Sequence, residues 1–286
     1  MIRRRFARAA PTYDEAAVAS REVGSRLLER LDLVRLSPAR ILDLGSGTGF
    51  AASGLAQRYP GGRTIALDFC LPMLQQRPRA RRLSERLRAT LRGAAVVDVC
   101  AEIERLPVRA ASIDLAVSNV VLHWSTALEL ALREVHRVLR RGGLFLFSTL
   151  GPDTFGELRA VAADARGRTP VHVFTDMHDL GDLLVHSGFA DPVMEMERLT
   201  LTYARVEDLL RDLRATGSLS AKAGARGLRT PRWRDRIVSG YESLRRDGRL
   251  PATLEVVYGH AWKPEQGPRV SADGQAVVRF DRPARK

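Results

Sequence analysis

The stretch Leu42-Asp43-Leu44-Gly45-Ser46-Gly47-Thr48-Gly49 constrains this chain more than any other. The apolar run from Arg40 to Leu44 ends in alternating glycines and hands over to a helix-forming segment, Ala51 to Tyr59. A buried strand that enters a glycine-rich turn and then a helix is the entry unit of an open α/β sheet. The turn then lies at the carboxyl edge, where such sheets take nucleotide-type ligands. Glycine is needed there because the ligand lies against the backbone and a Cβ would obstruct it. Asp68 ends the next strand, Thr64 to Asp68, where an acid takes two ribose hydroxyl hydrogens. The glycine spacing selects among ligands. A dinucleotide fingerprint reads G-x-G-x-x-G, whereas this one reads G-x-G-x-G with Asp43 two residues ahead of it. A carboxylate directed at the turn repels a pyrophosphate and suits a ligand with a cationic amine.

The rest of the first 150 residues keeps the alternation. The spacing predicts helices over 14–36, Pro72–Leu91 and Ala127–Leu139, and strands over Ala94–Cys100, Ser112–Asn119 and Gly143–Thr149. Strands separated by helices imply parallel pairing, hence a doubly wound α/β sheet. Beyond Gly151 the pattern loosens: a helix near Asp153, a loop over 167–170, a helix over Asp176–Ser187, a strand over Pro192–Thr202, and a helix over Val206–Ala215. A Gly- and Arg-rich stretch over 221–232 reads as a mobile loop, and Thr253–Trp262 alternates as a final strand. The expected organisation is one domain: an N-terminal lid helix (1–39), a cofactor-binding core (40–151), cap helices with a late strand (152–250), the final strand (251–264) and a frayed tail (265–286).

Composition narrows the class. Of 286 residues, 45% are hydrophobic, enough for an ordinary core, and no apolar run reaches the roughly 20 residues a membrane span needs. The start is charged like a signal peptide, but Pro11, Asp14 and Glu15 stand where its apolar region belongs, and the 2 cysteines, Cys70 and Cys100, suit reduced thiols. A cytoplasmic protein without a structural metal is expected. The net charge of +13 comes almost wholly from arginine, as genome-wide composition bias produces, but seven arginines also cluster over 77–92. Such a surface attracts nucleic acid, an anionic membrane or an acidic carrier protein. No nucleic-acid reading module accompanies it.

With the glycine turn and Asp68 in place, the chain resembles the class I S-adenosylmethionine-dependent methyltransferases. That resemblance implies a Rossmann-like, mostly parallel seven-stranded sheet with a helical cap. It implies a cofactor site made by Asp43, Gly45, Gly47, Gly49, Asp68, Phe69, Glu102, Ile103 and Asn119. Within Cys100-Ala-Glu-Ile-Glu-Arg-Leu-Pro107, Glu102 would accept from the adenine amino group and Ile103 would pack on the ring. Asp114 is similar to a sheet-supporting acid of the fourth strand. Asn119-Val-Val-Leu lacks the Pro-Pro-aromatic run of amino-methylating DNA enzymes.

Four further segments together resemble the malonyl-[acyl-carrier protein] O-methyltransferases of biotin synthesis: Phe6 to Asp14, Leu122-His-Trp124, Gly151 to Arg159, and Leu250 to Trp262. The resemblance implies methyl transfer to a malonyl carboxylate and an acidic acyl carrier protein as partner, with Arg3 to Arg8 and the 77–92 run as docking candidates. It gives substrate-side roles to Tyr13 on the lid, His123, His172 and Arg211, while Trp124, Trp262 and His260 read as packing residues. A related assembly factor, credited with arginine hydroxylation, and small-molecule methyltransferases share parts of the pattern and stand as alternatives.

Overall fold

The structure, a computed structural model, describes residues 2–77, 96–163, 172–216 and 231–265. Its strands are β1 Arg40–Leu44, β2 Arg63–Asp68, β3 Val96–Cys100, β4 Ile113–Asn119, β5 Leu139–Leu150, β6 Ala190–Tyr203 and β7 Leu250–Trp262. They form one sheet in the order β3-β2-β1-β4-β5-β7-β6. β1 to β5 are parallel, and β7 lies antiparallel between β5 and β6. The order runs outward from β1 through β2 to β3, then resumes on the other side with β4. The crevice between β1 and β4 is therefore the topological switch point, where an α/β sheet opens to a ligand.

Apolar side chains alternate between the two faces, as the strand repeat requires. Ile41, Leu115, Val117, Leu144 and Leu146 join the core that also holds Val23, Leu27, Leu209 and Leu213. Leu42, Leu44, Ala116, Phe145 and Phe147 join the opposite core with Leu132, Val135, Leu180 and Leu184. Each of these strand leucines is essentially fully buried, a contribution of about 1.5–3 kcal/mol apiece. Away from the crevice Asp114 pins the sheet: Oδ2 accepts from the N–H groups of Ala39 and Arg40 at 2.7 and 2.8 Å, and Oδ1 pairs with Arg140 at 2.7 Å. Among the described residues no helix is long and apolar enough to cross a membrane.

Several boundaries differ from the sequence reading. The single helix expected over 14–36 is broken. A helix spans Ile2–Ala9, a 3-10 turn follows over Ala10–Thr12, short and long helices span Tyr13–Ala16 and Val18–Glu29, and a 3-10 turn closes at Arg30–Leu33. Pro11 brings no N–H to the first break, and Ala17 leaves helical geometry at φ −82°, ψ 26° in the second. β5 begins at Leu139, not Gly143, because Leu139 already pairs with Ile113; Arg140 to Gly143 then form an irregularity, with Gly142 at φ 68°, before the ladder resumes at Leu144. The helix placed near Asp153 starts at Gly156, and the one placed over 72–91 is described only as Leu71–Gln76. Most of the basic 77–92 run, the 167–170 loop, most of the 221–232 stretch and the tail lie outside the described residues. Arg77, the one described member of the basic run, is not a surface charge: Asp98 pairs with it at 2.7 Å and both side chains are largely buried.

Candidate active site

Gly45, Gly47 and Gly49 all adopt left-handed backbone, with φ of 68°, 56° and 92°. Gly45 is further restricted by packing, since a Cβ there would lie 2.2 Å from Val121 in the loop after β4. At Gly47 a Cβ would meet only Met73 at 3.6 Å and project beside the open cavity. Asp68 holds this turn: its carboxylate accepts from the N–H of Gly47 at 2.9 Å and from that of Cys70 at 2.8 Å. Burial raises the Asp68 pKa, against those two bonds. Asp43 lies beneath the turn and does not line the cavity. It is 1% exposed, and burial pushes it up to about 7, opposed by Ser46 and the Ala52 N–H and reinforced by Asp68. The Ser46 hydroxyl lies near this carboxylate without hydrogen-bond geometry, and Asp43 Oδ2 is left without a well-formed protein hydrogen bond. Gly49 is also set back from the cavity, closing on the Arg77 side chain.

A cavity of about 1030 Å³ opens from Gly45, Gly47 and Asp68 along the carboxyl edge of the sheet. Phe69, Glu102 and Ile103 line one side, Asn119 and the loop after β4 another, and the N-terminal segment from Ile2 to Val23 roofs it. The roof is fastened by Phe6, whose ring sits 5.8 Å from Phe69 and 5.5 Å from Trp124, both edge-on, and 6.5 Å from Tyr13. Asp14 accepts from the Thr48 hydroxyl at 2.7 Å, so the lid grips the glycine turn directly. Glu102, assigned to adenine from the sequence, pairs here with Arg3 at 2.8 Å. Asn119 anchors the lid from below: its amide donates to Ser20 O at 2.9 Å while its oxygen accepts from Ser148 at 2.8 Å. Tyr13 faces the cavity half-buried. Its pKa is raised, first by burial and then by the Asp68 and Asp14 carboxylates, against a hydrogen bond with Ser20.

His123 and His172 meet in the cavity, 6.1 Å apart by ring centroids, with Trp124 and Phe174 against both rings. Burial, with a smaller repulsion from His172, pushes His123 down to about 3, so the ring is neutral at physiological pH; its buried Nδ1 has no protein partner. Arg211 stands exposed on the outer face of the helix Val206–Ala215, away from the cavity lining and paired with Asp208 at 2.8 Å, because Val206, Leu209, Leu210 and Leu213 turn the other face into the core. Trp124, read as packing, lines the cavity, as do Phe6, Phe155, Tyr203 and Leu213. The sequence signals for these were thin: Trp124 beside His123, and Phe6 followed four residues on by Ala10 on one helical face.

The site fits a nucleoside bearing a cationic amine. Gly47 offers bare backbone, Asp68 and Glu102 offer carboxylates, Phe69 and Ile103 offer apolar faces, and Asp43 holds an unpartnered carboxyl oxygen below the turn. Residues 42–147 match the family model of a methyltransferase domain. A solved S-adenosylmethionine-dependent methyltransferase from Thermotoga maritima superposes with a TM-score of 0.52 at 16% identity, over 92% of this chain and 100% of that one. The fold is that of the class I S-adenosylmethionine-dependent methyltransferases.

Curated relatives narrow the class. The malonyl-[acyl-carrier protein] O-methyltransferase of Gallionella capsiferriformans is 47% identical over 97% of this chain and 94% of its own length. That of a Methylovorus strain is 49% identical over 98% and 93%. The chain belongs to the malonyl-[acyl-carrier protein] O-methyltransferase family.

Proposed function

We propose that this protein methylates the free carboxylate of a malonyl thioester on acyl carrier protein, using S-adenosylmethionine, to give the methyl ester that starts the pimeloyl chain of biotin. The observation that carries the reading is near-full-length identity of 47–49% to relatives of that name. The cavity of about 1030 Å³ supports it, standing at the top of the roughly 300–1,000 Å³ range of a pocket for one drug-sized ligand and running on beyond the glycine turn to an apolar wall.

When bound, S-adenosylmethionine would supply an electrophilic methyl group on cationic sulfur, with the sulfur keeping the electron pair of the C–S bond as the carboxylate oxygen takes the carbon, so that no proton would be exchanged. A malonyl carboxylate is ionised at neutral pH, so no general base is required. In this reading Asp68 takes the ribose hydroxyls and Ile103 and Phe69 hold the adenine. Glu102 accepts from the adenine amino group, exchanging its exposed pairing with Arg3. Asp43 acts through the turn on the amine of the methionine part. Tyr13 closes the lid over the reacting centre, with Asn119 anchoring the helix behind it. Neutral His123 hydrogen-bonds the carboxylate without neutralising it, and His172 supports it from the adjoining loop. Water exclusion by Phe6 and Trp124 keeps the nucleophile poorly solvated and aligned.

Incubation with S-adenosylmethionine and malonyl-carrier protein, read by intact mass, tests this. The carrier is expected to gain one methylene unit, and an acetyl-carrier none. A malonyl-carrier of unchanged mass beside a cofactor-saturated protein refutes the assignment.

A further inference from the structure

The far end of the cavity differs in chemistry from the cofactor end. Its walls are Leu150 at the end of β5, Phe155, Leu201 and Tyr203 at the end of β6, Leu213 on the helix Val206–Ala215, and Leu254 on β7. The antiparallel register brings them together: Leu150 lies opposite Val256, and Leu199 opposite Leu254. Leu213, Leu254, Leu150 and Phe155 keep 4–7% exposure, whereas Leu209, Val256 and Leu158 beside them keep none. The residual surface of the first four faces the cavity. Phe155 holds left-handed backbone at φ 54°, fastened through its N–H to Thr253 O at 2.7 Å, a conformation a bulky residue rarely keeps away from a functional site.

We propose that this apolar compartment is the subsite for the thioester and the adjoining phosphopantetheine-type arm of the acyl substrate. The proposal rests on the malonyl-thioester reading. A carboxylate placed among these leucines would lose its water without gaining a partner, so the charged end of the substrate belongs by the glycine turn, His123 and Tyr13. Malonate has a single methylene between carboxylate and thioester, so sulfur and the alkyl segments of the arm fall immediately beyond that point. The compartment is continuous with it. Tyr203, held beside Asp212, and Thr216 at the end of the helix put two polar side chains in a mainly apolar wall, as suits an arm of methylenes interrupted by amides.

The test compares malonyl-pantetheine with malonyl-N-acetylcysteamine, which carries the same reacting end on a truncated arm. For the native protein kcat/KM is expected to favour pantetheine at least about tenfold, mainly through KM, since even one methylene in an apolar pocket is worth roughly tenfold or more. Leu201→Gln, on a half-buried position, and Leu213→Ala are expected to bring the ratio down to about threefold or less, through a rise in KM for the pantetheine thioester. Calorimetric S-adenosylmethionine affinity verifies that each variant is folded. Equal use of both thioesters by the native protein, or a preference that survives both substitutions, overturns the subsite. Absence of methylation on either thioester by native, cofactor-binding protein instead overturns the malonyl reading beneath it.

Discussion

Replacing Phe6 by alanine tests whether the lid is held by its aromatic clasp. The helix Ile2–Ala9 has two kinds of attachment. The Arg3–Glu102 pair is more than half exposed on both sides, and exposed ion pairs contribute about 0–1 kcal/mol. Phe6 is 8% exposed and touches three rings. Each aromatic pair adds about 0.5–1.5 kcal/mol beyond area burial, and a buried Phe→Ala change costs about 3–5 kcal/mol in all. That corresponds to a factor of roughly 10² to 4 × 10³ in the ratio of docked to undocked lid. The sheet does not depend on Phe6, so the loss is local. Hydrogen exchange should show amides of residues 6–17 losing protection while those of β1, β4 and β5 keep theirs, with S-adenosylmethionine affinity falling at least tenfold. Native protection over 6–17 together with native affinity would refute the argument, and an equal loss across β4 and β5 would show that Phe6 supports the whole fold instead.

Asp43 makes stability pH-dependent. Its carboxyl stands at about 7, against 3.8 for an ordinary one. Between those values the folded chain binds more protons than the unfolded chain, so the Asp43 contribution falls as pH rises through that window, by up to about 1.4 kcal/mol per pH unit, and levels off above it. Asp43→Asn should flatten the denaturation midpoint from pH 5 to 7; an unchanged slope would show that Asp43 is not its source. Asp68→Ala removes the acceptor of two buried N–H bonds, each worth about 1.5–3 kcal/mol as a bond to a charged group. It should reduce cofactor affinity by calorimetry at least tenfold, whereas Arg211→Ala should leave both affinity and turnover within about twofold; the reverse ranking would move the site.

The glycine turn was legible because its determinants are local. A strand, alternating glycines and an acid ending the next strand fix the turn within thirty residues, and Gly47 and Asp68 bond each other directly. The far wall of the cavity was not, because it is made by convergence: Phe155, Tyr203, Leu213 and Leu254 come from separate segments brought together around the antiparallel register of β5, β7 and β6. Arg211 illustrates the gap. A cation on a cap helix was a reasonable carboxylate partner until the burial of Leu210 and Leu213 turned it to solvent. Within the expected lid, the separate first helix Ile2–Ala9 was not read, for another reason. Arginine crowds Ile2–Ala9, and its apolar face is only Ile2, Phe6 and Ala9, too short a stripe to register as periodic.

The last strand sets an order in time. β7 is the final element of the sheet in sequence, yet it is the one that joins β6 to everything before it. A chain leaving the ribosome carries the glycine turn, the lid and the five parallel strands while β6, a strand of fourteen residues, still has no strand to pair with. Until residues 250–262 emerge, that strand is an open edge, the kind of surface that invites wrong pairings. Its closure also delivers Leu254, the last wall of the acceptor compartment. The nascent protein thus acquires the means to hold a methyl donor well before it acquires a place to use one.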